Sequence, residues 1–415
     1  MWQELNIEDW IANRRSGLES GKEAALAIIE DVRSHGDEAL FRLTRQFDGI
    51  ELEELRVSEE EIEAAYDEAD PKLVEALIEA EARISRFHEM QKKKELWLDE
   101  VEPGITLGIK TTPLQRIGAY IPGGRASYPS TALMTGIPAR IAGVREIICT
   151  TPPPVHPLTL LACDIAGFTQ IYRVGGAQAI AAMALGTETI QPVQKIVGPG
   201  NIYVTGAKIL LREFTEIDFP AGPSEIGIIA DASANPAFVA ADILAQAEHD
   251  PHAGCVLITT DIELAKIVGM EIQAQIQTEE RSEIITAALK NSGYYIAGDI
   301  AEAIAISNQL APEHLSIQVQ DPLAVLGKIQ HAGSIFIGPH TPVACGDYAS
   351  GTNHVLPTAG YAKTYSGLNV DHFCKTSTVQ IISKEGLEAI GDVVETLAEA
   401  EGLAAHAHSV AIRRQ

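Results

Sequence analysis

No Cys-x-x-Cys pair occurs anywhere in this chain of 415 residues. Its five cysteines, Cys149, Cys163, Cys255, Cys345 and Cys374, are scattered and odd in number. That usage excludes a disulfide framework, gives no sign of a thiolate zinc site and fits reduced thiols in the cytosol. No apolar run approaches the ~18–20 residues that a membrane helix needs. The opening Met1-Trp2-Gln3-Glu4-Leu5 has neither the basic start nor the long apolar run of a signal peptide. A soluble, cytoplasmic protein is the expectation. Positive charge is scarce: 31 Lys and Arg face 57 Asp and Glu, a net charge of -26. Such a surplus of negative charge repels phosphate backbones and anionic lipid, which argues against nucleic-acid and membrane partners. It says little about a small substrate, for which local charge decides. Neither Gly-x-Gly-x-x-Gly nor a P-loop is present, so the standard dinucleotide fingerprint is missing.

What remains is ordinary globular material, 46% hydrophobic and 21% charged, long enough for about two to four structural units. Residues 17 to 98 read as helical, with apolar residues at three- and four-residue spacing as in Ala24-Leu26-Ile28-Ile29-Val32. Asp70-Pro71 has the form of an N-cap followed by the first helical residue. From about 105 the texture changes to short β-branched runs alternating with Gly- and Pro-rich turns and Ala-rich segments. The strand-like runs are 116–121, 146–150, 171–174, 195–197, 225–230 and 255–259, with helical composition over 131–142 and 177–185. This alternation predicts parallel α/β units, in two successive regions, 115–223 and 224–345, that could be related halves. The chain returns to helix from about 380.

Five places carry candidate chemistry. Glu313-His314 sets a carboxylate beside an imidazole just after Pro312. His314, with an ordinary pKa near ~6.5, can be a base at neutral pH, and Glu313 can activate water if its surroundings raise its pKa. Three glycine turns, Tyr120-Ile121-Pro122-Gly123-Gly124-Arg125, Val174-Gly175-Gly176-Ala177-Gln178 and Val197-Gly198-Pro199-Gly200-Asn201, follow strand-like runs and could bring backbone N–H groups to a phosphate. Gln246 and His249, three apart near the end of a predicted helix over 237–249, share a face and could both bind zinc. Cys345-Gly346-Asp347-Tyr348 is a glycine-bearing turn that could position a carboxylate. Near the C-terminus, Glu399, Glu401, His406 and His408 cluster. Each feature alone has a plain structural reading, as a βα turn, a surface polar pair or a solvated helix. A zinc hydrolase using Glu313 as base, or a non-catalytic binding protein, are readings from other classes; NADH formation and turnover separate them.

Taken in order and spacing, the blocks resemble the histidinol dehydrogenase family from about residue 20 onward. They run from Gly118-Ala119-Tyr120-Ile121-Pro122-Gly123-Gly124 through Gly175–Ile180, Gly198-Pro199-Gly200-Asn201 and Ala221-Gly222-Pro223-Ser224-Glu225. They continue with Gln246-Ala247-Glu248-His249, Ala311-Pro312-Glu313-His314-Leu315, Gly346-Asp347-Tyr348, Asn353–Pro357 and Glu401–His406. The resemblance implies an oxidoreductase of histidine biosynthesis that takes L-histidinol to L-histidine with zinc and two NAD. By motif, Gln246, His249, Asp347 and His406 would hold zinc, with His406 supplied by the partner of a homodimer. Ser224, His314 and Glu401 would also touch substrate, and Tyr120, Gln178 and Asn201 would contact NAD. Glu313 and His314 would be the catalytic pair. The implied fold is α/β: two incomplete Rossmann-like parallel domains, a helical N-terminal region and a helical tail exchanged in the dimer. The implied division is 15–119 plus 224–368 for the larger domain with zinc and catalytic residues, 120–223 for NAD, 1–14 plus 369–393 for dimerisation and 394–415 for the tail. Thr352 and Cys374-Lys375-Thr376 depart from the family pattern, but neither touches an implied ligand. A relative acting on another small alcohol is the alternative; Glu401 and His406 favour histidinol. The step of five residues between these two does not share one helix face, so a break in the tail is expected.

Overall fold

A computed structural model describes residues 2–14, 18–123 and 128–415; Gly124 and Arg125 of the first glycine turn lie outside them. The chain divides into two compact units, one of residues 1–91 and 115–373, the other of 92–114 and 374–415.

The larger unit opens with α1 (Ile7–Asn13), α2 (Leu18–Asp48), α3 (Glu59–Glu68) and α4 (Pro71–Glu89). The Asp70 carboxylate accepts from the Lys72 N–H with Pro71 in the first turn, the capping pair that the sequence predicts. The helical reading of 17–98 runs too far at its end, because Leu96 opens β1 (Leu96–Glu102). That strand and β2 (Ile105–Pro113) belong to the smaller unit.

Two α/β halves follow. The first runs through β3 (Arg116–Tyr120), α5 (Pro129–Ala142), β4 (Glu146–Thr150), α6 (Pro157–Ala166), β5 (Gln170–Tyr172), α7 (Gly176–Leu185), β6 (Lys195–Val197), α8 (Ile202–Leu210) and β7 (Glu216–Ile217). The second runs through β8 (Glu225–Ala230), α9 (Pro236–Ala247), β9 (Gly254–Thr259), α10 (Ile262–Gln275), α11 (Ser282–Ala288), β10 (Gly293–Ile296), α12 (Ile300–Leu310), β11 (His314–Gln318), α13 (Pro322–Leu326), β12 (Ser334–Ile337) and α14 (Val343–Tyr348). All strand pairs in both sheets are parallel. The orders are β5-β4-β3-β6-β7 and β10-β9-β8-β11-β12. Counted within each half, both read third, second, first, fourth, fifth. The two regions read from sequence are therefore topologically equivalent Rossmann-like halves. In each, order reverses beside the first strand, which opens a crevice there.

β8 and β9 are buried at every residue, as parallel strands covered on both faces must be. The first half is closed by α2, whose Ala25, Ile29, Val32, Leu40 and Leu43 share a core with α7 and α8. Gly21 and Gly206 let α2 and α8 touch backbone to backbone: a Cβ on Gly21 would fall 2.4 Å from the Ile202 carbonyl oxygen. Residues 2–14, by contrast, dock on the second half. The Trp2 indole donates to the Ala265 carbonyl at 3.0 Å, and the Leu5 N–H to Tyr294 O at 2.8 Å.

The smaller unit is an antiparallel sheet ordered β1-β2-β13, where β13 is Cys374–Ile382, followed by α15 (Lys384–Ala400) and α16 (Ala404–Ala411). The expected break falls at Gly402, whose φ of 76° ends α15 in the left-handed region. Among the described residues no helix is long and apolar enough to cross a membrane.

Candidate active site

The Glu313-His314 pair does not begin a helix. Helix α12 stops at Ala311, which takes φ 48°, and after Pro312 and Glu313 the strand β11 begins at His314 itself. β11 lies beside β8 with His314 opposite Ile226, so both side chains sit at the amino edge of the second sheet. Both are buried, Glu313 6% and His314 5% exposed. Glu313 Oε2 accepts the Glu225 N–H at 2.8 Å and stands 3.7 Å from His314 Nδ1. On the other side, His314 Nε2 is 3.7 Å from Asp347 Oδ1. The imidazole thus lies between two carboxylates at distances longer than a direct hydrogen bond.

The electrostatics follow from that placement. Burial pushes Glu313 up to about 7, opposed by His314 and the Glu225 N–H and reinforced by the Glu225 and Asp347 carboxylates. Burial works against charge on His314, yet Glu313 and Asp347 outweigh it and raise it to about 9. Glu225, absent from the residues singled out by sequence, is buried and raised by burial, with the Arg14 guanidinium 3.3 Å away pulling against that rise. Nothing in the Ser224-Glu225 run distinguishes this carboxylate from a strand-start residue; only the pairing of β8 with β11 reveals it.

Gln246, His249 and Asp347 converge on a cavity of about 30 Å³, which Tyr348 and Val343 also line. Helix α9 ends at Ala247, two residues short of the span expected, and His249 follows in a turn whose N–H reaches the Gln246 carbonyl. Gln246 is 2% exposed, and neither end of its amide has a hydrogen-bond partner. A buried, unpaired amide is costly, and this one lines the same cavity as His249 and Asp347. Burial lowers the pKa of His249, which favours the neutral, ligating imidazole. Burial opposes charge on Asp347, but His314, His354 and His249 around it hold its carboxyl below the usual range. The donors present therefore suit a borderline cation such as zinc. Among the described residues no group of three or more His, Cys, Asp or Glu could hold a metal by itself.

His354 is a second residue that sequence reasoning left without a role. Its Nδ1 lies 2.9 Å from the Asp347 carbonyl oxygen, and burial lowers its pKa. Ser224 stands one residue before β8, where its carbonyl accepts the Gly254 N–H. Glu401 and His406 are exposed residues of the smaller unit, at the end of α15 and in α16.

The glycine turns gather at the other kind of edge. Tyr120 ends β3 and Gly198 follows β6, the two strands that flank the switch point of the first sheet. The buried Tyr120 hydroxyl accepts the Gly176 N–H at the start of α7, at 3.2 Å. Gln178 is 1% exposed and folds back toward Gly176. Asn201 is exposed and caps α8 by accepting from Tyr203 and Val204 N–H. The crevice where a doubly wound sheet binds ligands is thus rimmed by the Tyr120, Gly176 and Gly198–Asn201 backbones.

Comparison with known proteins identifies the family. The family model described as "Histidinol dehydrogenase" matches residues 12–414. The curated histidinol dehydrogenase of Methanosarcina mazei is 54% identical over 407 residues, covering 97% of this chain and 94% of its own. That of Archaeoglobus fulgidus is 50% identical, covering 97% and 98%. The crystal structure of histidinol dehydrogenase from Elizabethkingia anophelis superposes with a TM-score of 0.93 at 41% identity, over 99% of this chain and 96% of that one. With the family model covering nearly the whole chain and relatives at least 50% identical over 97% of it, the chain belongs to the histidinol dehydrogenase family.

Proposed function

We propose that this protein is a zinc- and NAD-dependent histidinol dehydrogenase, oxidising L-histidinol through bound L-histidinal to L-histidine at the end of histidine biosynthesis. The observation that carries this reading is the buried Glu313-His314 pair beside the unpaired Gln246 amide, with His249 and Asp347 on the same small cavity. When bound, zinc would orient the imidazole and amino group of histidinol and engage Asp347, and NAD would accept one hydride in each of two oxidations.

His314 takes the alcohol proton as the first hydride leaves, returns it to the carbonyl oxygen as water adds, and takes the proton of the resulting hydrate as the second hydride leaves. For that it must be neutral, so the pull of the Glu313 and Asp347 carboxylates that raises its pKa has to be relieved, Asp347 by engaging the metal. Glu313 takes a proton from the water that adds to the aldehyde. Its raised pKa makes it a stronger base than an ordinary carboxylate. Gln246, His249, Asp347 and His406 hold the metal, while Ser224, His314 and Glu401 complete the substrate contacts. Tyr120, Gln178 and Asn201 line the NAD crevice in a dinucleotide half of residues 120–223. Glu401 and His406 come from the partner of a homodimer whose sites are shared, in the cytoplasm.

The test is NADH formed per L-histidinol consumed, with zinc supplied and then chelated. Two NADH per substrate, lost on chelation, is the expected result. A purified, zinc-loaded protein that forms no NADH from histidinol would overturn the substrate assignment.

A further inference from the structure

The turn Gly198-Pro199-Gly200-Asn201 leaves the first sheet just beyond β6. The last ladder pair of β6 with β3 is Val197 with Ala119, so Gly198 has no strand to satisfy its backbone groups. Two buried side chains do so instead. Asp218 Oδ2 accepts the Gly198 N–H at 2.8 Å, and Lys208 Nζ donates to the Gly198 carbonyl at 3.0 Å. The two side chains also form an ion pair with each other. Asp218 Oδ1 accepts in addition the Phe219 N–H at 2.7 Å. Lys208 is 3% and Asp218 4% exposed. The turn is held from its third side by Tyr120: Gly198 has φ 106°, and a Cβ there would fall 2.2 Å from the Tyr120 carbonyl oxygen.

An ion pair taken out of water seldom repays its desolvation better than two apolar side chains of the same size would. What this pair supplies that apolar residues cannot is a fixed direction for one peptide unit on each side of Gly198. That peptide opens the turn leading to Asn201 and the N-terminus of α8, at the switch-point crevice.

We infer that Lys208 and Asp218 are a positioning pair for dinucleotide binding, acting through the Gly198–Asn201 turn without touching the ligand. This rests on the reading of that crevice as the NAD site. Asp218 also heads the connection 218–224 that leads from the first half to Ser224 and Glu225.

The experiment compares Lys208→Met, Lys208→Arg and the neutral double variant K208M/D218N with the wild type, measuring initial rates against NAD and against histidinol separately. The expected result is a KM for NAD raised about ten- to a hundredfold in Lys208→Met and in the double variant, the KM for histidinol moving far less, and partial recovery in Lys208→Arg. The double variant leaves no uncompensated buried charge, so it serves should Lys208→Met fail to fold. A folded double variant with an unchanged KM for NAD overturns the positioning role. A wild type that turns over histidinol without needing NAD overturns instead the reading on which it rests.

Discussion

At the scale of the residue, the proposed division of work between His314 and Glu313 rests on what burial and neighbours do to each. Replacing His314 by Ala should cost the alcohol-oxidation step at least about a hundredfold; alcohol oxidation at the wild-type rate in single-turnover mixing would refute its assignment. Glu313→Gln should slow oxidation of added histidinal more than that of histidinol, and equal losses in both would end the proposed division. Asp242 gives a prediction about stability. It is buried on α9, where burial raises its pKa from 3.8 to about 6 against the pull of the Val343 N–H and the Gln318 amide. The folded state therefore binds this proton more tightly than the unfolded chain. The associated stability is whole below about pH 3.8 and is lost as pH rises through about 6. Asp242→Asn removes that loss, and the Gln318 carbonyl oxygen, now without a partner, can receive the new amide. The advantage of the variant should grow by about 1 kcal/mol between pH 5 and pH 8 in denaturant titrations; an advantage that shrinks over that range would contradict the assignment. The candidate residues stood out in the sequence as short runs of acid, base and amide, and their individual roles came from the resemblance to the family. Glu225 and His354 were not assigned, because their roles depend on contacts to Glu313 and Asp347 that sequence adjacency does not express.

At the scale of the element, the tightest joint is that of α2 with α8. Gly206→Ala would drive its Cβ to within 2.7 Å of the Gly21 carbonyl carbon, so the helices must part. A loss of about 1–3 kcal/mol is expected, and a thermal midpoint equal to that of the wild type would show that the crossing is looser than described. Legibility at this scale followed composition. The strand-like runs read at 116–121, 146–150, 171–174, 195–197, 225–230 and 255–259 fall on β3, β4, β5, β6, β8 and β9, because buried parallel strands are β-branched runs between turns. The first three residues of β1, Leu96, Trp97 and Leu98, were misread as helix: all seven residues of the strand are exposed, leucine is a good helix former, and only pairing with β2 makes it a strand. β11 was missed for a different reason. Its five residues, His-Leu-Ser-Ile-Gln, are all buried, so no alternation marks it, and Ala311 ends the preceding helix without the glycine that such a stop usually shows.

At the scale of the whole molecule, the two halves share one strand order yet use opposite edges. The glycine turns lie at the carboxyl edge of the first sheet, as doubly wound folds lead one to expect, while His314 and Glu225 open their strands at the amino edge of the second. Strand order is set by pairing across distant sequence, so neither the equivalence nor the inversion could be read from the chain; only the succession of two α/β regions was. Subunit sharing is tested by mixing. His314→Ala and His406→Ala proteins, each inactive, should regain activity on subunit exchange, up to roughly a quarter of wild-type sites at equal mixing; no recovery after proven exchange would place His406 in its own subunit's site. The docking of residues 2–14 on the second half has a consequence for biosynthesis. Trp2 waits for Ala265, 263 residues further along, whereas α2 finds α7 and α8 much earlier. At ordinary ribosomal speeds that interval is on the order of 10–50 s. Throughout it the first half can close while the leading Trp2, Leu5 and Ile7 remain uncovered, which makes this short segment the place where a chaperone or a protease would meet the nascent chain.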